Sequence, residues 1–270
     1  MAHTDTTEKG LESLIVAAMI GAVPTSAETL ADASATASTL DAVRATRQQT
    51  WILGDASQFN REHALDLEQL RAFMLATQKD AAEILELYPD QDSPTRRKFL
   101  ARLQGEITKR GVIDVLRRGI EHGKHHLDLF YGTPSPGNAK AAELFAANRF
   151  SVTRQLKYSR DETQLALDLG LFINGLPIAT FELKNSLTKQ TVADAVQQYQ
   201  RDRDPREQLF QFGRCMAHFA VDDHEVRFCT HLKGKVSWFL PFNQGWNDGA
   251  GNPPNPDGLK TDYLWKETAR

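Results

Sequence analysis

The chain has 270 residues, 41 % of them hydrophobic and 25 % charged, as expected of a globular protein with one large domain or two modest ones. Its formal net charge of −3 excludes a uniformly basic nucleic-acid binder but leaves a local basic patch open. The longest early apolar run, Leu14 to Val23, is about half of what a bilayer crossing needs and lacks a signal peptide's positive flank, so we expect a cytoplasmic protein without membrane contact.

The N-terminal part of the chain is predicted to be helical. Residues 11–22 are apolar enough for a buried helix, and the Ala/Ser/Thr-rich segment 24–40 is predicted to be a mobile connection. Within 60–118, apolar residues recur at helical spacing. Ser93 followed by Pro94 predicts a side-chain cap and a first-turn proline for the second long helix of this region.

From residue 123 onward the pattern indicates a mixed sheet with intervening helices. Alternating or continuously apolar segments predict strands at 125–132, 150–159, 165–173 and 176–184, and two strands joined by "DDHE" within 215–230. Helices are predicted over 139–147 and 188–202. Asn174-Gly175 is a typical two-residue hairpin turn, so the segments on either side of it are expected to pair as antiparallel strands.

These elements define the predicted domain organisation, in which the chain is α/β with a helical N-terminal insert. The first helix, 11–22, is a candidate member of the α/β core. The four predicted regions are an N-terminal helix with its connection (1–44), a helical insert (45–122), an α/β core (123–240) and a linker (241–270).

Three charged residues interrupt the apolar sequence of the predicted hairpin. Glu182 and Lys184 are two residues apart and share one face of their strand. Pairing about the Asn174-Gly175 turn places Asp168 roughly level with Phe181 and Glu182. Two carboxylates and one ammonium would then meet at the end of the sheet. A cluster of this kind suits Mg²⁺, which takes one or two carboxylates together with waters and phosphate oxygens. From these residues alone, an ion pair between Glu182 and Lys184 is an equally good account.

The spacing of these residues resembles the signature of PD-(D/E)xK nucleases, in which an acid ends one strand and E-x-K lies on the next. Longer stretches, including "LDLGLFINGLPIATFELKNSLTKQTVADAVQQYQRDRDP" and "FLPFNQGWNDGAGNPPNPDGLKTDYLW", closely resemble the N-terminal part of the restriction (R) subunit of type I restriction-modification enzymes. The resemblance covers about residues 45–270. It implies the PD-(D/E)xK fold, a mixed central sheet flanked by helices.

Residue roles follow from the resemblance position by position. Asp168 and Glu182 match the metal-binding acids, and Lys184 matches the catalytic lysine. Gln198 matches the glutamine of a QxxxY element that orients the lysine or contacts DNA, but the matching tyrosine position holds Asp202, with Tyr199 adjacent to Gln198 instead. Related nucleases carry a further metal-binding glutamate on the first helix. Glu12 is the candidate for it and Glu8 a weaker one, although an acid near a helix N-terminus explains Glu12 equally well.

The resemblance also implies a function and its partners. The chain would be a Mg²⁺-dependent endonuclease domain that cuts double-stranded DNA after ATP-driven translocation, in complex with modification and specificity subunits. ATP would act only through a motor elsewhere in the R subunit, because no Walker motif occurs in this chain. The alternative is a different class of function, a non-catalytic docking or regulatory module of the same complex.

Overall fold

The computed structural model describes residues 8–21, 51–88, 92–162, 164–256 and 258–266. The predicted mobile connection at 24–40, the start of the predicted helical insert and the side chain of Glu8 lie outside the described residues. Among the helices within these ranges, none has the length and apolar character that a bilayer crossing requires.

A mixed sheet of seven strands forms the centre of the fold. Its strands, in order across the sheet, are β1 (Ile52–Leu53), β6 (Phe150–Lys157), β7 (Ala166–Ile173), β8 (Leu176–Leu183), β9 (Ala217–Val221), β10 (Val226–Cys229) and β11 (Leu240–Pro241). The pairs β1–β6 and β8–β9 are parallel, and the other neighbouring strands are antiparallel. The mixed sheet predicted from the sequence is therefore confirmed.

Helices and two small hairpins surround this sheet. The helices are α1 (Glu8–Met19), α2 (Leu67–Thr77), α3 (Lys79–Ile84), α4 (Pro94–Arg110), α5 (Val112–Arg118), α6 (Ala139–Ala146), α7 (Val192–Arg201) and α8 (Tyr263–Lys266). One hairpin joins β2 (Phe59–Asn60) to β3 (Leu65–Asp66), and the other joins β4 (Ile120–His122) to β5 (His125–Leu127). The predicted cap of α4 is confirmed, because the Ser93 side chain accepts a hydrogen bond from the Arg96 N–H.

The region predicted as a helical insert, 45–122, also contains short strands that the sequence pattern does not predict. Strand β1 lies within 45–122, yet it pairs with β6 at the edge of the central sheet. A strand of two residues is too short to show the alternation by which strands are recognised in a sequence. Helices α2 to α5 pack around their own apolar core, which includes Phe73, Phe99 and Ile107.

The two faces of the sheet are covered by different helices. Alternate residues of a strand point to opposite faces. On one face, Phe181 and Leu183 of β8 pack in one apolar cluster with Ile15 of α1. On the other face, Ala195 of α7 packs against Ala220 of β9. Glu182, between Phe181 and Leu183, therefore points toward the side of α7.

The β7–β8 turn is anchored to the helical layer. Asn174 and Gly175 both have positive φ, 50° and 81°, as a two-residue hairpin turn requires. The Gly175 carbonyl accepts a hydrogen bond from the Asp66 N–H at 2.9 Å, and the Asn174 side chain donates to the Leu129 carbonyl at 2.8 Å. The hairpin is thus held at its turn, and its open end carries the charged residues.

The segment predicted as a linker also contacts the sheet. Leu240 and Pro241 form the edge strand β11, and Trp265 of α8 is buried in the same cluster as Ile15 of α1. Local composition predicted only loop here, because Pro, Gly and Asn disfavour regular elements. The packing comes from Trp265 together with partly buried apolar residues of the same segment.

Candidate active site at the open end of the β7–β8 hairpin

The open end of the hairpin brings two carboxylates to the same level. The last paired residues are Leu169 and Phe181, and extending that register by one residue sets Asp168 level with Glu182. The turn by itself would place Asp168 level with Phe181, but the register shifts by one residue between Leu171 and Phe172. Directly opposed residues of an antiparallel pair lie on the same face. Asp168 Oδ2 also accepts a hydrogen bond from the Leu183 N–H at 2.7 Å. Its carboxylate is therefore fixed against the backbone of β8.

Glu182 is completely buried, and its two oxygens have different surroundings. Oε1 accepts a hydrogen bond from Arg203 Nε at 2.7 Å. Oε2 is inaccessible to solvent and has no hydrogen-bond partner within the described part of the chain. Burial, opposed by the positive charge of Arg203 and reinforced by the negative charge of Asp168, raises the pKa of Glu182 to about 8. Glu182 thus presents one buried acceptor that a cation would stabilise.

Arg203 is the buried counter-charge of this site, and sequence reasoning missed it. Only 4 % of the residue is exposed. Besides Glu182, its guanidinium donates to the Ala166 carbonyl at 2.9 Å and to the Tyr158 hydroxyl at 3.3 Å. Its Cζ also lies 5.5 Å from the centroid of the Tyr158 ring. Because a buried glutamate needs a cationic partner, the sequence indicates that Glu182 has one. Which residue is the partner depends on where α7 ends.

Lys184 follows the last residue of β8 and lies two residues after Glu182. It is only 8 % exposed, and its backbone N–H donates to the Val221 carbonyl at 2.8 Å. Its positive charge contributes to lowering the pKa of Glu182, the effect expected of an ammonium at short range. The structure therefore places Lys184 within electrostatic range of Glu182 and next to Leu183, whose N–H binds Asp168.

Glu12 of α1 approaches the same site from the other side of the sheet. It is buried, and Oε1 accepts a hydrogen bond from Arg154 Nε. Its Oε2 accepts one from Gln155 Nε2 at 2.6 Å, and the same nitrogen lies 3.4 Å from Asp168 Oδ1. Glu12 is thus linked to Asp168 through one amide, and both of its oxygens already accept hydrogen bonds.

Gln155 is the second residue that sequence reasoning missed. It has a φ of 47°, which is unusual for a residue other than glycine, in the middle of a strand. The pairs on either side of it, Arg154–Leu169 and Leu156–Leu167, are regular, so the distortion lies level with Asp168. Such conformations persist only where surrounding contacts impose them, and they cluster at functional sites. Nothing in the local sequence signals it.

Gln198 and Tyr199 lie next to each other on α7 but have different surroundings. Gln198 is half-buried on the helix. Tyr199 is completely buried, and its hydroxyl lies 2.8 Å from Thr180 Oγ1, which also lies 2.8 Å from His218 Nδ1. Burial lowers the pKa of His218 to about 3, so this histidine is neutral. The tyrosine at the shifted position therefore reaches the sheet and supports β8 two residues before Glu182.

Comparison with known families identifies the chain. Residues 94–236 match the family described as the type I restriction enzyme R protein N terminus. The chain belongs to this family. The match places this R protein N terminus in a restriction system, in which the R subunit is part of a restriction-modification complex with DNA. A comparison with curated proteins found no match.

The matched part of this R protein N terminus contains most of the site described above. Asp168, Glu182, Lys184 and Arg203 lie within 94–236, whereas Glu12 precedes it. The family match therefore extends over the two carboxylates and the two cations of the hairpin end.

The donor set of this R protein N terminus fits Mg²⁺ bound together with a phosphate. In the ranges that the structure describes, no three His, Cys, Asp or Glu side chains are close enough to hold a metal by themselves. Mg²⁺ commonly uses only one or two carboxylates and keeps waters and phosphate oxygens in its other positions. Asp168 and Glu182 provide that number, and Glu182 Oε2 is a buried acceptor without a partner among the described residues.

Proposed function

We propose that this R protein N terminus is the Mg²⁺-dependent endonuclease domain of a type I restriction enzyme, with a PD-(D/E)xK core. In this proposal it hydrolyses phosphodiester bonds of double-stranded DNA. One observation carries it: Asp168 and Glu182 lie level at the open end of a hairpin, and the buried Glu182 Oε2 lacks a hydrogen-bond partner within the described residues. Arg203 compensates one oxygen of Glu182, and a second cation at Oε2 would offset the repulsion that remains between the two carboxylates.

Each residue of the site would have a different role in hydrolysis. Asp168 and Glu182 would hold Mg²⁺, which, when bound, lowers the pKa of a water and polarises the phosphate. The Leu183 N–H fixes the position of Asp168, and Arg203 fixes that of Glu182. The Lys184 ammonium, largely shielded from solvent, would orient the attacking water and stabilise the negative charge that develops on the phosphate. Gln198, half-buried on α7, would act on Lys184 or contact the DNA.

The activity would depend on the rest of the assembly. We propose that an ATP-driven motor in another part of the R subunit moves DNA to this site, and that the modification and specificity subunits choose the DNA. The chain contains no Walker motif, so we expect it to hydrolyse no ATP. We also expect little cleavage by the isolated chain.

A substitution in the complete enzyme tests the proposal. Lys184→Ala, introduced into the assembled restriction complex, should lower DNA cutting by about 100-fold or more, as the loss of one transition-state donor does. ATP hydrolysis should remain at the wild-type rate. Lys140→Ala, on the exposed surface of α6, is the matched control and should change neither activity. Normal cutting by the Lys184 variant would contradict the nuclease assignment and favour the docking or regulatory module.

A further inference from the structure

The two oxygens of Glu182 are not equivalent. Oε1 is held by Arg203 Nε at 2.7 Å, whereas Oε2 has no hydrogen-bond partner among the residues that the structure describes. Both lie in a fully buried side chain, so bulk water does not compensate for the difference. Only one oxygen of this carboxylate is therefore available to a cation.

Arg203 is itself held in one position. Its guanidinium donates to the Ala166 carbonyl and the Tyr158 hydroxyl and lies near the face of the Tyr158 ring. These contacts use the fixed, planar arrangement of donors that a guanidinium has and that an ammonium lacks. Because the residue is buried, Arg203 has no solvated position to move into. Its hold on Oε1 is thus a rigid feature of the site.

We propose that Arg203 is a positioning residue that determines which metal the site prefers. By occupying Oε1, it restricts Glu182 to binding a cation through Oε2 alone. A single carboxylate oxygen suits Mg²⁺, which requires near-ideal octahedral geometry with short bonds. Ca²⁺ is larger, takes six to eight oxygens and is often bound by both oxygens of a carboxylate. Arg203 therefore favours Mg²⁺ over Ca²⁺. The inference rests on the proposed function.

The test compares metal affinities and does not depend on cleavage. Mg²⁺ and Ca²⁺ are each titrated against Mn²⁺ bound to the 270-residue chain, with free Mn²⁺ followed by electron paramagnetic resonance. Arg203→Lys keeps the positive charge but loses the planar set of donors. We expect it to lower the ratio of Mg²⁺ to Ca²⁺ affinity by about tenfold, the effect of losing a charge-assisted hydrogen bond. Arg206→Lys, whose side chain is 90 % exposed, should leave the ratio unchanged.

The outcomes separate this inference from the proposed function. In one outcome, the wild-type chain binds Mn²⁺ and Asp168→Asn abolishes that binding, but Arg203→Lys leaves the ratio of Mg²⁺ to Ca²⁺ affinity unchanged. This outcome overturns the role of Arg203 and leaves the proposed metal site in place. If the wild-type chain binds no Mn²⁺, or binds it without needing Asp168, both are overturned.

A second measurement covers the case in which Arg203→Lys does not fold. In wild-type crystals soaked in Mn²⁺, we expect Glu182 Oε2 alone to ligate the ion, at roughly 2.0–2.3 Å, with Oε1 still on Arg203. Ligation by Oε1, or by both oxygens, would overturn the role of Arg203.

Discussion

The carboxylate of Asp168 accepts a hydrogen bond from the backbone N–H of Leu183, with 2.7 Å between Oδ2 and N. The regular pairing of β7 with β8 ends at the preceding level, between Leu169 and Phe181. Asp168 thus takes the place of a backbone acceptor where the hairpin opens. Leu183 lies between Glu182 and Lys184, so this one bond sets the distance of Asp168 from both.

We expect Asp168→Asn and Asp168→Ala to separate the structural role of this residue from its role in metal binding. Asparagine keeps an oxygen that can accept from the Leu183 N–H, whereas alanine leaves that N–H without the side-chain acceptor. Asp168→Ala should therefore lower the free energy of unfolding by about 1–3 kcal/mol, and Asp168→Asn by less. Both should abolish Mn²⁺ binding, because both remove the charge.

Urea unfolding and Mn²⁺ titration at pH 7.5 measure these two effects. Asp161→Ala, at an exposed position before β7, is the control and should change neither. Mn²⁺ binding retained by Asp168→Asn would show that the carboxylate is not a ligand.

Glu12 provides a second prediction, because both of its oxygens already accept hydrogen bonds from Arg154 and Gln155. Glu12→Gln forces an amide N–H₂ against one of these donors and removes the charge opposite Arg154. We expect the free energy of unfolding to fall by about 1–3 kcal/mol. Mn²⁺ affinity should fall far less than in Asp168→Asn, because the influence of Glu12 reaches Asp168 only through Gln155. Equal loss of Mn²⁺ binding in the two variants would instead make Glu12 a direct ligand.

The hairpin turn gives a prediction about stability alone. Gly175 has a φ of 81°, and a Cβ at this position would lie 2.2 Å from the Asp66 carbonyl oxygen and 2.7 Å from the Leu70 nitrogen. Both are backbone atoms that cannot move aside cheaply. We expect Gly175→Ala to destabilise the protein by several kcal/mol, roughly the upper range for point substitutions.

Gly105→Ala is the matched control for this substitution. Gly105 lies inside α4, and a Cβ there meets no atom within 4 Å. Alanine is the better helix former, so unfolding should require about 0.5–1 kcal/mol more. Thermal or urea unfolding of the two variants should therefore change in opposite directions, and a stable Gly175→Ala protein would contradict the described turn.

The parts of the site that the sequence predicts are those that depend on local pattern. Asn174-Gly175 sets the turn and the hairpin that brings Asp168 to the level of Phe181 and Glu182. The choice between these two partners depends on a one-residue register shift between Leu171 and Phe172, which the turn does not predict. Period-two alternation then places Glu182 and Lys184 on one face. The turn and the alternation involve residues close together in the chain, where sequence and geometry are directly related.

The parts that the sequence does not predict depend on distant contacts. Arg203 is 21 residues from Glu182 and comes after a helix, so its partner depends on the path of α7. Glu12 and Gln155 are 143 residues apart, and the positive φ of Gln155 is imposed by packing rather than by residue type. Tertiary contacts of this kind leave no periodic signal in the sequence.

His218 makes the stability of the fold depend on pH in a predictable direction. Its Nδ1 lies 2.8 Å from Thr180 Oγ1, and burial lowers its pKa to about 3. In the unfolded chain a histidine has a pKa of about 6.5. Between these two values the unfolded chain takes up a proton that the folded protein does not. The stabilising contribution of the neutral ring is therefore complete above pH 6.5 and is lost as the pH falls toward 3.

The substitution His218→Asn isolates this contribution, because asparagine can place an oxygen or nitrogen near the position of Nδ1 and does not titrate. Between pH 7 and pH 5, the free energy of unfolding of the wild-type chain should fall by about 2 kcal/mol more than that of the variant. Urea unfolding at the two pH values measures the free energy of unfolding of each protein. Subtracting the fall in the variant from the fall in the wild type removes the contribution of every other titrating group. Equal falls in the two proteins would mean that the folded protein binds a proton at His218 as readily as the unfolded chain does, which would contradict a pKa lowered by burial.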